Sequence, residues 1–220
     1  MFGWNTKPTT PHHRGVETSG AYDGGLALRT YGLLAGTRVA SNLGWRAVEA
    51  LAVGDMVLTF DNGMQEIVEV RRASIWLDAP DTVAAQWPVV VPVGALDNRE
   101  ELTLLADQGV LVESDAAADI YGDPFAIVPA AALVGLRGIH RAAPSQYVEL
   151  IMIYFAEEQV IYAEGGALIH CPLRRMALDC YIGNDQAGYD VLALEDAAHL
   201  ADCLAIEDRI VAGGGVAGYC

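Results

Sequence analysis

An all-β fold is the architecture this sequence predicts, and three observations predict it. Short runs of strand-forming residues recur between turn signals from Thr37 onward, one of those turns contains an Asn-Gly pair, and patterning suited to an amphipathic helix is confined to the last quarter of the chain. Thr37 to Ser41 reads as a strand, followed by a turn at Asn42-Leu43-Gly44 and a second strand at Arg46 to Val48. Val57 to Phe60 leads into Asp61-Asn62-Gly63, where Asn-Gly tolerates the positive φ that a tight hairpin demands. The returning strand is expected over Gln65 to Arg72. Trp87 to Val93 is a continuous β-branched run, as in a strand buried on both faces. Leu102 to Leu105 and Val110 to Val112 are two further short strands.

Pro129 to Gly135 reads as one or two helical turns, with proline near the start and glycine after the end. Tyr147 to Phe155 and Gln159 to Ala163 are strands joined by the acidic turn Glu157-Glu158. From Glu195 to Ala205 the spacing of Ala197, Leu200, Ala201 and Leu204 predicts a short C-terminal amphipathic helix. Residues 1–30, rich in Gly, Thr, His and Pro, read as a flexible arm with little to bury. The domain proper spans 31–170, and 171–220 is an extension carrying the helix and a Gly-rich tail.

An apolar fraction of 53% with 19% charged residues argues against general disorder in this 220-residue chain. The formal charge of −16 repels phosphate backbones and anionic lipid, which argues against nucleic-acid binding. The tight basic pairs, Arg71-Arg72 and Arg174-Arg175, read as strand or loop ends. No apolar stretch approaches the roughly 20 residues that span a bilayer, and the first residues lack a segment of signal-peptide length. The expected location is cytoplasmic at synthesis, with signal-less secretion or incorporation into a particle left open.

Cys171, Cys180, Cys203 and Cys220 form no CxxC, and the adjacent His170-Cys171 pair is poorly placed to share one metal. Buried reduced thiols are the favoured reading, and His12-His13 reads as a solvated pair. No metal and no cofactor is expected.

Two runs carry more specific information: Gly32-Leu33-Leu34-Ala35-Gly36-Thr37-Arg38-Val39-Ala40, and Gly44-Trp45-Arg46-Ala47-Val48-Glu49-Ala50-Leu51-Ala52-Val53-Gly54-Asp55-Met56-Val57-Leu58-Thr59. With the fragments at 92–98, 122–133 and 160–165, they resemble, in order, the bacterial Hedgehog/intein (Hint) family across roughly residues 31–170. That resemblance implies a Hint-like horseshoe of short strands and a self-cleaving ancestry. It also implies a degenerate site. Members usually begin with Cys where this chain has Gly32, and carry Thr and His where it has Leu105 and Gln108.

The chemistry shows what those departures would remove. Hint autoprocessing starts with a Cys side chain attacking the preceding carbonyl, and Gly32 has none. The Thr and His polarise and protonate the scissile amide; Leu105 has no hydrogen-bonding side chain, and Gln108 cannot cycle a proton near neutrality. Asp107 survives beside them, with a turn-forming role favoured over acid-base work. Ala167-Leu168-Ile169-His170-Cys171 approximates the intein terminus but lacks the Asn that cyclises, and His170 reads as structural. Glu113, Asp115 and Asp119 lack the Gly and carbonyl pattern of a calcium loop and read as a solvated acidic face.

GxSxG, Walker, HExxH and dinucleotide motifs are absent from the sequence. The expectation is therefore a catalytically inactive Hint-fold module with a structural, assembly or binding role, acting on a protein partner or as a homo-oligomer. Trp45, Trp76, Trp87, Tyr121 and Tyr154 are candidate interface anchors, although most would serve the core. The alternatives are residual autoproteolysis using Thr30 or Ser41, and a small-molecule or metal site in the cleft around Asp107 and Gln108.

Overall fold

The computed structural model describes residues 31–76, 83–143, 147–173 and 189–214. The 1–30 arm with His12-His13 and Thr30, the Arg174-Arg175 pair, Cys180, Cys220 and the last six residues lie outside the described residues, as does the side chain of Trp76. Strand β1 (Leu33–Leu34) is followed by the hairpin of β2 (Arg38–Ser41) and β3 (Gly44–Ala47). A second hairpin joins β4 (Met56–Thr59) to β5 (Gly63–Glu66), and β6 runs over Glu69–Trp76. Next come β7 (Val89–Val91), β8 (Leu102–Leu104) and β9 (Gly109–Glu113), then helix α1 (Asp115–Tyr121). Strands β10 (Phe125–Pro129), β11 (His140–Arg141), β12 (Tyr147–Tyr154), β13 (Gln159–Ala163) and β14 (Ala167–Cys171) precede the terminal helix α2 (Leu194–Gly214).

The strands form two antiparallel sheets. One runs β11-β7-β8-β1-β12-β6, the other β10-β9-β14-β13-β2-β4-β5, with β3 added on β2. The all-β expectation holds. The Asn-Gly signal also holds, in a three-residue form: Thr59 pairs with Gly63, whose φ of 64° needs no Cβ to be accommodated. Thr59 Oγ1 accepts from the Asn62 N–H at 3.2 Å and donates to the Gly63 carbonyl at 2.8 Å, closing the loop.

The strand expected over Gln65 to Arg72 is two strands, one in each sheet. The chain crosses between sheets at Ile67-Val68: Ile67 is fully buried and bonds the 54–55 turn in both directions at 2.9 Å, while the Val68 N–H reaches the Tyr154 carbonyl at 2.8 Å. Buried Val89, Val90 and Val91 fulfil the two-face expectation, although that strand is shorter than Trp87 to Val93. The helical turn forms at Ala130–Leu133 after Pro129.

Helix α1 was not expected. Glu113, Asp115 and Asp119 are exposed, as the solvated acidic face requires, and Ser114 caps a helix there, accepting from the Ala116 and Ala117 N–H groups, with Gly122 ending it at φ 80°. Helix α2 extends past both ends of Glu195 to Ala205. Its face is the one the spacing predicted: Ala197, Leu200, Ala201 and Leu204 are all buried in the main core with Leu133, Leu136 and Val128. Burying one such leucine contributes about 2 kcal/mol. Polar contacts fix the helix in rotation. Glu207 Oε1 accepts from Ser114 Oγ at 2.9 Å and the Ala116 N–H at 3.0 Å, and Arg137 forms a two-pronged pair with Asp208, both contacts at 2.7 Å.

A second interlock joins two of the sequence fragments, 92–98 and 160–165. Asn98 is buried; its Oδ1 accepts from the Leu96 N–H at 3.0 Å, and its Nδ2 lies within reach of the Val91, Pro92 and Glu100 carbonyls. The Arg99 N–H donates to the Glu164 carbonyl at 2.6 Å, and a Cβ on Gly166 would lie 2.3 Å from the Asp97 carbonyl oxygen. Backbone approach that close admits only glycine.

Candidate functional site: a bridge between Gly32 and His170

Strand β1 places Gly32 at the margin of one sheet, while β9 and β14 bring Gln108 and His170 to it from the other. Gln108 follows a turn closed by its own N–H on the Leu105 carbonyl at 3.1 Å, and its carbonyl accepts from the Ala130 N–H at 2.8 Å. Its side chain, 1% exposed, thus points inward from a backbone held on both sides. Gln108 Oε1 accepts from the Gly32 N–H at 2.9 Å, and Nε2 donates to the His170 carbonyl at 2.8 Å and the Gly109 carbonyl at 3.2 Å. One amide therefore ties the start of the domain to its last strand.

Gly32 has φ 142°, a conformation that side-chain-bearing residues rarely adopt, and a Cβ there would lie 2.9 Å from Leu150 Cγ and Cδ1. Leu105 is buried with Leu34 and Leu150, so the Leu105 position is filled by hydrocarbon. Asp107 is exposed in the turn between β8 and β9, where the sequence reading put a turn-former. Structure thus brings together Gly32, Leu105 and Gln108 and leaves Asp107 outside. Ser41 is a turn-former too: its Oγ donates to the Gly44 carbonyl at 2.7 Å and accepts from the Leu43 N–H at 3.2 Å.

The cleft between these elements is lined by Tyr31, Gly32, Gln108, Met152, His170 and Cys171, among others, and has about 10 Å³ open to the centre of a water molecule. That is room for about one water. Burial without a charged partner pushes the Cys171 thiol up to about 12, so it carries no thiolate at neutral pH. The Tyr154 hydroxyl is likewise pushed up to about 12, by burial first and by the neighbouring Tyr31 second.

Sequence reasoning took His170 as structural but did not identify its partners. Its Nε2 bonds Glu158 Oε1, while Glu158 Oε2 accepts from the Tyr189 N–H at 3.1 Å and the Tyr189 ring lies edge-on to the imidazole at 6.0 Å. This cluster ties the segment leading to α2 onto the β13–β14 hairpin. Arg71 and Arg72 are both engaged by carboxylates, Glu69 at 2.6 Å and Glu149 at 3.3 Å. Among the described residues, no group of three or more His, Cys, Asp or Glu could hold a metal, and no helix is long and apolar enough to cross a membrane.

A Hint-domain family model matches residues 31–168, and the chain belongs to that family. No curated protein matches it. Among solved structures it is similar to a bacterial intein-like domain from Clostridium thermocellum, at 12% identity and a TM-score of 0.43, covering 64% of this chain and 99% of that one. It is also similar to the gp41-1 intein, at 17% identity and a TM-score of 0.41, covering 64% of this chain and 99% of that one.

Proposed function

We propose that this Hint domain is catalytically silent and serves a structural, assembly or binding role. The observation that carries the reading is the Gln108 bridge. Where Hint autoprocessing needs a group that delivers a proton to the scissile amide, Gln108 holds the Gly32 N–H through a carbonyl oxygen, which can only accept. Beside it, Gly32 offers no atom to attack the Tyr31 carbonyl, and Leu105 offers hydrocarbon where polarisation is needed. The thiol that does line the cleft, Cys171, is held neutral by burial. What the fold retains is a scaffold with two locked ends.

Intact-mass measurement on freshly purified chain, with and without prolonged incubation in thiol or hydroxylamine, tests the silence. One unbroken mass is expected; fragments parting between Tyr31 and Gly32 overturn it. Light scattering and copurification from the native host test the assembly role, and a partnerless monomer counts against it.

A further inference from the structure

The two hairpins β2–β3 and β4–β5 lie side by side, with Ser41 paired to Val57. Across the first, Ala40 opposes Trp45; across the second, Leu58 opposes Met64. Directly opposed residues share a face. Val39, Ser41, Val57 and Thr59 are buried on one face; by alternation Ala40, Trp45, Leu58 and Met64 form a row on the opposite face, with Ala40 buried and Leu58 half-buried between exposed Trp45 and Met64. Trp45 is 44% exposed and Met64 42%, and Leu43 at the first hairpin's tip is 73% exposed. A solvated sheet face ordinarily alternates to polar residues. This one carries an apolar row across four strands, with a tryptophan at its edge.

Among the described residues, two basic groups beside the row are already engaged. Arg46 is taken up by Asp55 at 2.9 Å and by the Ala50 carbonyl at 2.6 Å; Arg38 lies 3.5 Å from both Glu100 and Glu164. Asp61 and Glu66, at the two ends of the second hairpin, are exposed and make no ion pair among the described residues. A second copy would set the same acidic rim against itself, on a chain of formal charge −16. We propose that this row is the docking surface for a cationic partner protein, which seats an apolar side chain beside Trp45 and basic side chains over Asp61 and Glu66. Tryptophan is a frequent anchor of such contacts. The inference rests on the assembly role proposed above and names the surface through which it acts.

Fluorescence anisotropy on the full chain tests it, with a fluorescein-labelled peptide alternating Leu and Lys as the probe and one alternating Leu and Glu as the control. The Lys peptide is expected to bind and the Glu peptide to fail. Trp45→Ala and Met64→Ser should each weaken binding at least tenfold. The pair Asp61→Asn with Glu66→Gln should weaken it less and flatten its salt dependence. Ile210→Ser, on the exposed side of α2, should leave it unchanged. Equal binding of both peptides, unaltered affinity in Trp45→Ala, or a dimer that Trp45→Ala dissolves would each overturn the proposal. A host partner that still copurifies with Trp45→Ala would remove this surface while leaving the assembly role standing, and intact mass on the same samples reports separately on catalytic silence.

Discussion

The side-chain carbonyl of Gln108 accepts the backbone N–H of Gly32 at 2.9 Å, across 76 positions of sequence. The same amide donates to His170, so removing it strands polar groups on both segments at once. Gln108→Ala is expected to cost about 3 kcal/mol, since each buried group left unpaired costs about 1–3 kcal/mol. Urea denaturation measures it. A loss under about 0.5 kcal/mol, within the scatter of surface substitutions, would mean the bridge is not structural.

On the proposed silent reading, placing the family's usual residues one at a time should not produce cleavage. Gly32→Cys forces a side chain into a conformation that disfavours it and against Leu150, at a cost of about 1–3 kcal/mol. Cleavage is not expected from Gly32→Cys alone, nor from Gln108→His alone, because each leaves the other position and Leu105 unchanged. Intact mass and thermal melting read both. Release of a fragment ending at Tyr31 from either single variant would contradict the account.

Alkaline pH should destabilise the fold through two groups. The Cys171 thiol rises from 9.0 to about 12 and the Tyr154 hydroxyl from 10.0 to about 12. Both groups keep their protons in the folded state and lose them in the unfolded state between those values. Stability is therefore intact below about pH 9 and falls as pH climbs through 12. Cys171→Ala should make the urea midpoint less steep against pH across that window. In the folded chain at pH 8, peptide mapping after iodoacetamide should find Cys171 unmodified.

The Asn98 interlock predicts an outsized effect from a small change. Asn98→Ala removes the acceptor for Leu96 and the donor to three carbonyls, and is expected to cost about 3 kcal/mol. Gly166→Ala adds one methyl group 2.3 Å from the Asp97 carbonyl and should melt lower than wild type by calorimetry. An unchanged melting temperature in both would show that the 92–98 loop does not hold the 164–166 turn.

What was legible in the sequence was what local pattern encodes. The hairpin at Asn62-Gly63 follows from one glycine's freedom, and the buried face of α2 from the spacing of Ala197, Leu200, Ala201 and Leu204. Helix α1 was within reach, since Ser114 and Gly122 are standard cap residues; the exposed aspartates between them are legible as a solvated face but carry no helical signal of their own. The break at Ile67-Val68 was not legible, because a strand that changes sheet keeps the same composition on either side. The site was legible only as resemblance. That Gln108 would hold Gly32 and His170 depends on partners 76 and 62 positions away, and no short-range signal carries that information. The Glu158, His170 and Tyr189 cluster escaped for the same reason.

Because Gly32 and His170 are stitched through a single amide group, the start of β1 and the end of β14 lie side by side. A unit whose two ends emerge side by side can be grafted into the loop of another protein without prising that loop apart. Any such graft would have to carry α2 with it, because Ala197, Leu200, Ala201 and Leu204 complete the core.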